Sequence, residues 1–251
     1  MGELFGALGL AWPRLLLYPG GLFALVASWL LGRWLARCGG VPHGPAAPLL
    51  PDAALEFVPP LVALSLLPLA PARAFPYGLD LPVTLALLEW PRARVLASDA
   101  RTPAELVRDY GLLLVAVLAM TVAVGGLELT RLLRWPAAWP AQALLASGAA
   151  LWLLALPRLI SGGPPGPAGA LRTLGLLLVA TLPVLGALAA ETAEHLPAGL
   201  AGWLLPPLAI VVVALALGAL LRMPRQAQGW IAGSLVALVL LLAGYAASTV
   251  R

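Results

Sequence analysis

The sequence predicts an all-α membrane protein, and three observations support this. Hydrophobic residues make up 61% of the 251 residues and charged residues only 10%. A soluble domain rarely reaches this balance, because its surface needs charge. The apolar residues form continuous blocks instead of alternating with polar ones, which argues against a membrane β-barrel. Several blocks reach the roughly 20 residues that a helix needs to cross a bilayer. We therefore expect a single integral membrane domain over 1–251.

Eight apolar blocks are candidate spans, so the predicted fold is a polytopic bundle of about eight transmembrane helices. The first block does not resemble a signal peptide, since it lacks a basic start and a cleavage site. Prolines inside several blocks, among them Pro59-Pro60, Pro68, Pro183 and Pro206-Pro207, predict that these helices are broken or kinked. The candidate spans are Leu15–Trp34, Ala53–Ala72, Asp80–Val95, Tyr110–Leu129, Pro140–Ile160, Leu171–Ala190, Leu200–Leu221 and Gly229–Ala247.

The third block fits a membrane span least well, because only eight residues separate Asp80 from Glu89. Eight helical residues measure about 12 Å, whereas the hydrocarbon core is about 30 Å thick. In a straight helix these two carboxylates point to opposite faces and cannot form a pair. Several interpretations remain open. The segment is a short helix with its charges at the two interfaces, a re-entrant segment, a span whose arginines snorkel, or a span buried against another subunit whose carboxylate lines a polar path.

The basic residues predict the orientation of the chain. All 15 of them are arginine, and an outside N-terminus with eight spans puts most of them in cytoplasmic loops, as the positive-inside rule requires. We therefore expect a multi-pass protein of the inner (plasma) membrane. The arginines are scattered over loops, which argues against nucleic acid as a partner. The predicted cytoplasmic set is Arg33, Arg37, Arg92, Arg94, Arg101, Arg108, Arg158, Arg172, Arg222 and Arg225; the outer set is Arg14, Arg73, Arg131, Arg134 and Arg251.

Few residue types are suited to holding a cofactor. A single cysteine, Cys38, excludes an internal disulfide and an all-cysteine iron–sulfur cluster within the chain. His43 and His195 lie in different loops and are not spaced to clamp a haem. We expect no cofactor or metal in this chain.

The most polar loop lies between the third and fourth candidate spans, over 97–109. Thr102 and Glu105 have the spacing of a capping box, with Pro103 at the first helical position, so a helix is predicted to begin near Thr102. This loop has two interpretations: a solvated helix start, or a docking site for a partner on the cytoplasmic side.

Several short motifs resemble one known family of membrane subunits. In chain order they are LYPGGLFAL over 17–25 with Arg33 and Arg37 after it, Gly44-Pro45 with Pro51-Asp52, ASDART over 97–102 with Arg108-Asp109, and the loop Arg222–Gln228. The family is the eight-helix quinone-cavity membrane subunit of respiratory complex I and of group 4 membrane-bound NiFe hydrogenases and formate hydrogenlyases. Where that family has a long acidic loop, this chain has SGGPPGP over 161–167, so we expect a divergent, mainly structural version.

The resemblance implies an anchoring and coupling role. Such a subunit links a cytoplasmic redox arm to antiporter-like membrane subunits that move protons or sodium, with iron–sulfur clusters or a NiFe site in the partner chains. The resemblance leaves open whether this chain retains a quinone pocket. The residues that would face the redox arm are Arg33, Arg37, Asp52, Asp99, Arg108 and Asp109; the candidates for a lateral charge path are Glu56, Asp80, Glu89 and Glu128.

Two other function classes remain open. A stand-alone transporter or permease subunit predicts symmetry between the two halves, whereas most charges here lie in the first half. A membrane enzyme acting on lipid predicts a carboxylate cluster, or a histidine beside a nucleophile. The densest acids, Asp99, Glu105 and Asp109, have arginines between them and do not form a clean metal set.

Overall fold

The computed structural model describes residues 21–38, 53–65, 67, 81–98, 103–161, 166–192 and 198–249. Within these ranges the regular secondary structure is entirely helical. The helices are α1 Gly21–Arg37, α2 Ala53–Ser65, α3 Leu81–Ser98, α4 Pro103–Val124, α5 Trp139–Ser161, α6 Gly166–Thr192, α7 Ala198–Arg222 and α8 Arg225–Thr249, with a short 3₁₀ helix at Leu129–Leu133. The all-α class is confirmed, and each of the eight candidate spans corresponds to one helix.

Among the described residues, four helical stretches are long and apolar enough to cross a membrane, which indicates a membrane protein. They are Trp139–Ile160, Gly166–Thr192, Leu204–Arg222 and Arg225–Tyr245. Shorter apolar stretches cover Ala24–Leu35 and Tyr110–Val124. Helix α3 is outside this group, because it carries Glu89, Arg92 and Arg94 within 18 residues.

Helix α6 is the centre of the bundle. It packs against α1, α2, α3, α5, α7 and the 3₁₀ helix, and nearly every residue from Gly166 to Gly186 is buried. Small residues allow this close approach: a Cβ at Gly175 would collide with Leu88 of α3, and one at Gly186 would lie 2.8 Å from the carbonyl oxygen of Leu133. Because α6 has neighbours on many sides, it fixes the relative depth of the helices around it.

Neighbouring helices run in alternating directions. The start of α3 meets the end of α4, where the Leu81 amide donates to the Leu127 carbonyl at 2.7 Å. Helices α5 and α6 are antiparallel, and the Trp152 indole donates to the Leu176 carbonyl at 2.9 Å. Helices α1 and α7 instead run in the same direction. Trp34, near the end of α1, lies against Gly218, near the end of α7. The chain therefore passes up and down through the bundle.

The prolines do not interrupt the helices that the structure describes, and the kinks expected at these positions stay a prediction. Helix α2 continues through Pro59 and Pro60, α6 through Pro183, and α7 through Pro206-Pro207. A proline inside a helix costs about 3 kcal/mol, but membrane bundles tolerate it because neighbouring helices and local adjustment re-satisfy the freed backbone. Pro68 lies outside the described residues.

The predicted start of the fourth helix is confirmed, since α4 begins at Pro103. The cap itself, with Thr102, lies outside the described residues. Two other boundaries differ from the prediction. Helix α6 begins at Gly166, where φ is +84°, and α3 continues to Ser98.

The predicted placement of Arg92 and Arg172 in cytoplasmic loops is wrong, because both side chains lie buried within helices.

Candidate charged site at one end of the bundle

A buried ion pair joins α3 to α6. The Arg172 guanidinium donates from Nη2 to Glu89 Oε1 at 2.7 Å and from Nε to Oε2 at 3.1 Å. The Arg172 side chain has no exposed area, and that of Glu89 is 15% exposed. This two-point geometry is the arrangement in which arginine binds a carboxylate most strongly. It gives each charge a partner where water is nearly excluded.

The same arginine binds the end of a third helix. Arg172 Nη1 donates to the Leu159 carbonyl at 2.9 Å. Leu159 lies in the last turn of α5, where carbonyl groups have no partner within the helix and the helix dipole is negative. Arg92 approaches the same carbonyl, with its Nη1 at 3.5 Å. Two guanidinium groups therefore converge on the C-terminal end of α5.

A fourth helix contributes an aromatic hydroxyl. Tyr110 of α4 donates its phenolic O–H to Glu89 Oε2 at 2.6 Å. The guanidinium carbon of Arg92 lies 4.9 Å from the centre of the Tyr110 ring, within the distance of a cation–π interaction. We call Glu89, Arg92, Tyr110 and Arg172 the charged cluster. It connects α3, α4, α5 and α6 at one level of the bundle.

The charged cluster holds one carboxylate beside two guanidinium groups and one hydroxyl. Its chemistry is the stabilisation of an ionised carboxylate inside an apolar bundle, with Tyr110 as a second hydrogen-bond donor. Five residues before Glu89 on α3, the Thr84 hydroxyl is also buried and has no hydrogen-bond partner among the described residues. Buried polar groups are usually paired. Thr84, Glu89 and Arg92 together make the packed face of α3 more polar than is usual for a buried helix face.

Of the predicted charge-path residues, the structure places Glu89 in this cluster. Glu128 lies at the opposite end, where it pairs with Arg131 at 3.4 Å on the surface. It follows Tyr110 by 18 positions, or about 27 Å if all of them were helical. Glu56 is half-buried on α2. Asp80 lies outside the described residues.

The predicted docking residues fall into two groups. Arg33 and Arg37 lie on exposed positions of α1. Arg108 and Asp109 lie on α4 just before Tyr110, but their side chains are outside the described set. Asp52 and Asp99 are likewise not described. The polar loop therefore leads into the helix that supplies Tyr110 to the charged cluster.

Three members of the charged cluster were missed as site residues: Arg92, Tyr110 and Arg172. The partner of Glu89 is 83 positions away in the chain, a separation at which no local spacing applies. One signal was available. A buried carboxylate needs a cation, and Arg172 is followed by an uncharged, mostly apolar run that ends before Glu191, so an earlier helix start would have placed it inside the bundle.

Arginines are segregated between the two ends of the bundle. The end with the charged cluster also holds the last turns of α1 and α7, where Arg222 Nη2 lies 4.0 Å from Cys38 Sγ. The other end holds Arg131 and Arg134, beside the 3₁₀ helix. The two predicted sets of arginines thus occupy opposite ends, as far as their side chains are described.

Among the described residues, no three side chains of His, Cys, Asp or Glu come together as a metal site. Comparisons with protein-family models, with curated proteins and with solved structures find no match to this chain. The charged cluster is therefore interpreted from its own geometry.

Proposed function

We propose that this chain is a non-catalytic membrane subunit of an ion-translocating oxidoreductase of the complex I or membrane-bound hydrogenase type. It anchors a cytoplasmic redox arm and couples that arm to antiporter-like membrane subunits. The bundle crosses the plasma membrane with its N-terminus outside, so the charged cluster lies on the cytoplasmic side. The iron–sulfur clusters or NiFe site belong to the partner chains.

The buried ion pair is the single observation that supports this proposal most. Ionisable side chains inside membrane bundles are costly to insert and usually mark functional sites. Here Glu89 is held by residues from two other helices, Tyr110 of α4 and Arg172 of α6. A purely structural bundle obtains similar packing from apolar residues at lower cost.

The position of Tyr110 supports a coupling role. Helix α4 begins at Pro103, within the polar segment 97–109 that we assign to docking. A displacement of this helix start moves Tyr110, which touches Glu89, which in turn holds Arg172 of the central helix. Because α6 packs against most of the bundle, a small change at the cytoplasmic end reaches helices on the far side.

Exposed apolar faces supply the lateral contacts that the proposal needs. On α4, Leu114, Leu118 and Val122 follow one helical face and are 61%, 63% and 56% exposed. On α8, Leu240 and Leu241 are 67% and 73% exposed. In the membrane these faces contact lipid or neighbouring membrane subunits.

The first test is the composition of the native assembly. The chain is tagged at its chromosomal locus, extracted in mild detergent and purified, and the co-purifying chains are identified by mass spectrometry. We expect redox subunits with iron–sulfur electron paramagnetic resonance signals, together with antiporter-like subunits. A solitary chain, or an ATPase as the stable partner, would overturn the proposal and favour a transporter.

The second test separates coupling from assembly. Glu89→Gln with Arg172→Met removes both buried charges together, and the surface change Glu128→Gln with Arg131→Met is the matched control. We expect the buried double variant to leave the purified assembly intact while reducing ion translocation in sealed inverted vesicles relative to electron transfer. Unchanged translocation in an intact assembly with this double variant would show that the charged cluster has no coupling role.

A further inference from the structure

Four exposed arginines lie near the last turns of α1 and the turn that joins α7 to α8. They are Arg33 and Arg37 in the last turns of α1, Arg222 at the end of α7 and Arg225 at the start of α8. We call them the arginine rim. In the part of the chain that the structure describes, no carboxylate pairs with any of the four. No described acid therefore offsets the positive charge of the rim.

The backbone holds the rim together. Arg222 and Arg225 are three residues apart, so their Cα atoms are at most about 11 Å from each other. Gln228 fixes the turn between them, because its Nε2 donates to the Leu220 carbonyl at 2.7 Å and to the Met223 carbonyl at 3.3 Å. Arg222 in turn reaches Cys38, the residue after Arg37, at 4.0 Å. Charges from α1 and from the α7–α8 turn are thus neighbours.

Below the rim, both outer helices present apolar side chains. On α1, Val26, Trp29 and Leu30 are 55%, 58% and 54% exposed, and the Arg33 guanidinium lies 4.8 Å from the centre of the Trp29 ring. On α8, Trp230 is 74% exposed and Leu241 73%. Arginine heads above a lipid-facing apolar stripe, with tryptophan between them, are the arrangement of a membrane interface.

We infer that the arginine rim binds the headgroups of anionic phospholipids. The phosphodiester of such a lipid lies at the level of the arginines while its acyl chains cover the apolar faces of α1 and α8. A soluble acidic partner would account for the charges alone, whereas a single anionic lipid accounts for both the charges and the apolar faces beside them. This assignment removes Arg33 and Arg37 from the docking surface of the redox arm, and it does not depend on the proposed function.

The test measures lipid selectivity directly. The full chain is reconstituted in phosphatidylcholine, and the fraction of motionally restricted spin-labelled lipid is compared for phosphatidylglycerol and phosphatidylcholine by electron paramagnetic resonance. We expect a preference for phosphatidylglycerol that weakens with added salt. Each arginine near an anionic surface contributes at most roughly fivefold to such a preference. Equal restriction of the two lipids by the unmodified chain overturns the inference.

Two double variants locate the effect. Arg222→Gln with Arg225→Gln removes two rim charges, and Arg131→Gln with Arg134→Gln removes two charges at the opposite end, so both variants have the same net charge. We expect the first to lose most of the preference for phosphatidylglycerol and the second to keep it. Equal losses in both would assign the preference to total charge and contradict the rim.

A charge-conserving variant covers the case in which the first double variant does not fold. Arg222→Lys with Arg225→Lys keeps both positive charges and is expected to retain the preference. Loss of selectivity in this variant, with its elution volume unchanged, would contradict headgroup binding through charge. Added glycerol phosphate, a soluble headgroup analogue, is expected not to compete, and competition would point to a free phosphate site instead.

Discussion

At the scale of single residues, Glu89 and Arg172 stabilise each other in a place where neither charge is tolerated alone. Their two-point contact and the Leu159 carbonyl satisfy most of the guanidinium donors. Burying a charge pair is close to neutral for stability, whereas removing one partner leaves an uncompensated charge. A substitution that removes one partner is therefore expected to cost more stability than the double substitution that removes both.

We predict that Arg172→Met lowers the free energy of unfolding by roughly 3–5 kcal/mol. The double variant Arg172→Met with Glu89→Gln is expected to recover much of that loss, since it leaves no buried charge. Equilibrium unfolding in mixed micelles measures both. Equal destabilisation of the single and double variants would mean that the charge of Glu89 is not what Arg172 compensates.

Tyr110 contributes less to the free energy of unfolding than Arg172 does, because Glu89 keeps its ion pair with Arg172 when the tyrosine hydroxyl is absent. Tyr110→Phe removes a hydrogen bond to a charged acceptor, worth about 1.5–3 kcal/mol. In a Glu89→Gln background the same change is expected to cost less, and a double-mutant cycle in the same unfolding assay measures the difference. Identical costs in the two backgrounds would contradict a direct Tyr110–Glu89 bond.

At the scale of helices, small residues decide which ones approach each other closely. A Cβ at Gly148 of α5 would lie 2.8 Å from Met120 Cγ and 3.1 Å from the Ala116 carbonyl oxygen. The corresponding contact of Gly186 is with the backbone at Leu133, which cannot rotate away as a side chain can. Helix α3 is a separate case. It carries charges, and its face with Leu88 and Glu89 packs against α6.

We predict that Gly186→Ala destabilises the bundle by about 1–3 kcal/mol, the usual cost of overpacking. Gly233→Ala on α8 is the matched control, since nothing lies within 4 Å of a Cβ there. It is expected to be neutral or to gain up to about 1 kcal/mol from helix propensity. Thermal unfolding in detergent compares the two, and equal melting temperatures would contradict the close approach of α6 to the 3₁₀ helix.

At the scale of the whole molecule, the alternating helices place the charged cluster and the arginine rim at one end and Arg131 and Arg134 at the other. Arginines on the cytoplasmic side are what the positive-inside rule favours. The orientation that we propose thus rests on two features, the direction of each helix and the uneven distribution of arginine between the two ends.

We predict that Arg225→Cys and Arg134→Cys are labelled from opposite sides of the membrane. Both are made in a Cys38→Ala background, which removes the native thiol. A membrane-impermeant maleimide is expected to label Arg134→Cys in intact cells and Arg225→Cys in inverted vesicles. Labelling of both sites from one side would contradict the transmembrane arrangement, and exchanged sides would reverse the orientation.

The sequence by itself determined the helical class, the position of each of the eight helices that the structure describes and the start of α4 at Pro103. These features are local: long apolar runs form helices in lipid because no other structure satisfies their backbone groups. The separation of the arginines also followed from counting alternating spans. The sequence was less informative about where helices begin and end, and the predicted start of α6 therefore left Arg172 in a loop.

Only the tertiary structure decided that Glu89 pairs with Arg172 and Tyr110. Helices that are apolar on every side carry no periodicity to show which face turns inward or how deep each one lies. Rotation and depth are set instead by close contacts such as Leu88 with Gly175, between residues far apart in the chain. A buried ion pair depends on both quantities at once, and for that reason it appears only when the helices are packed together.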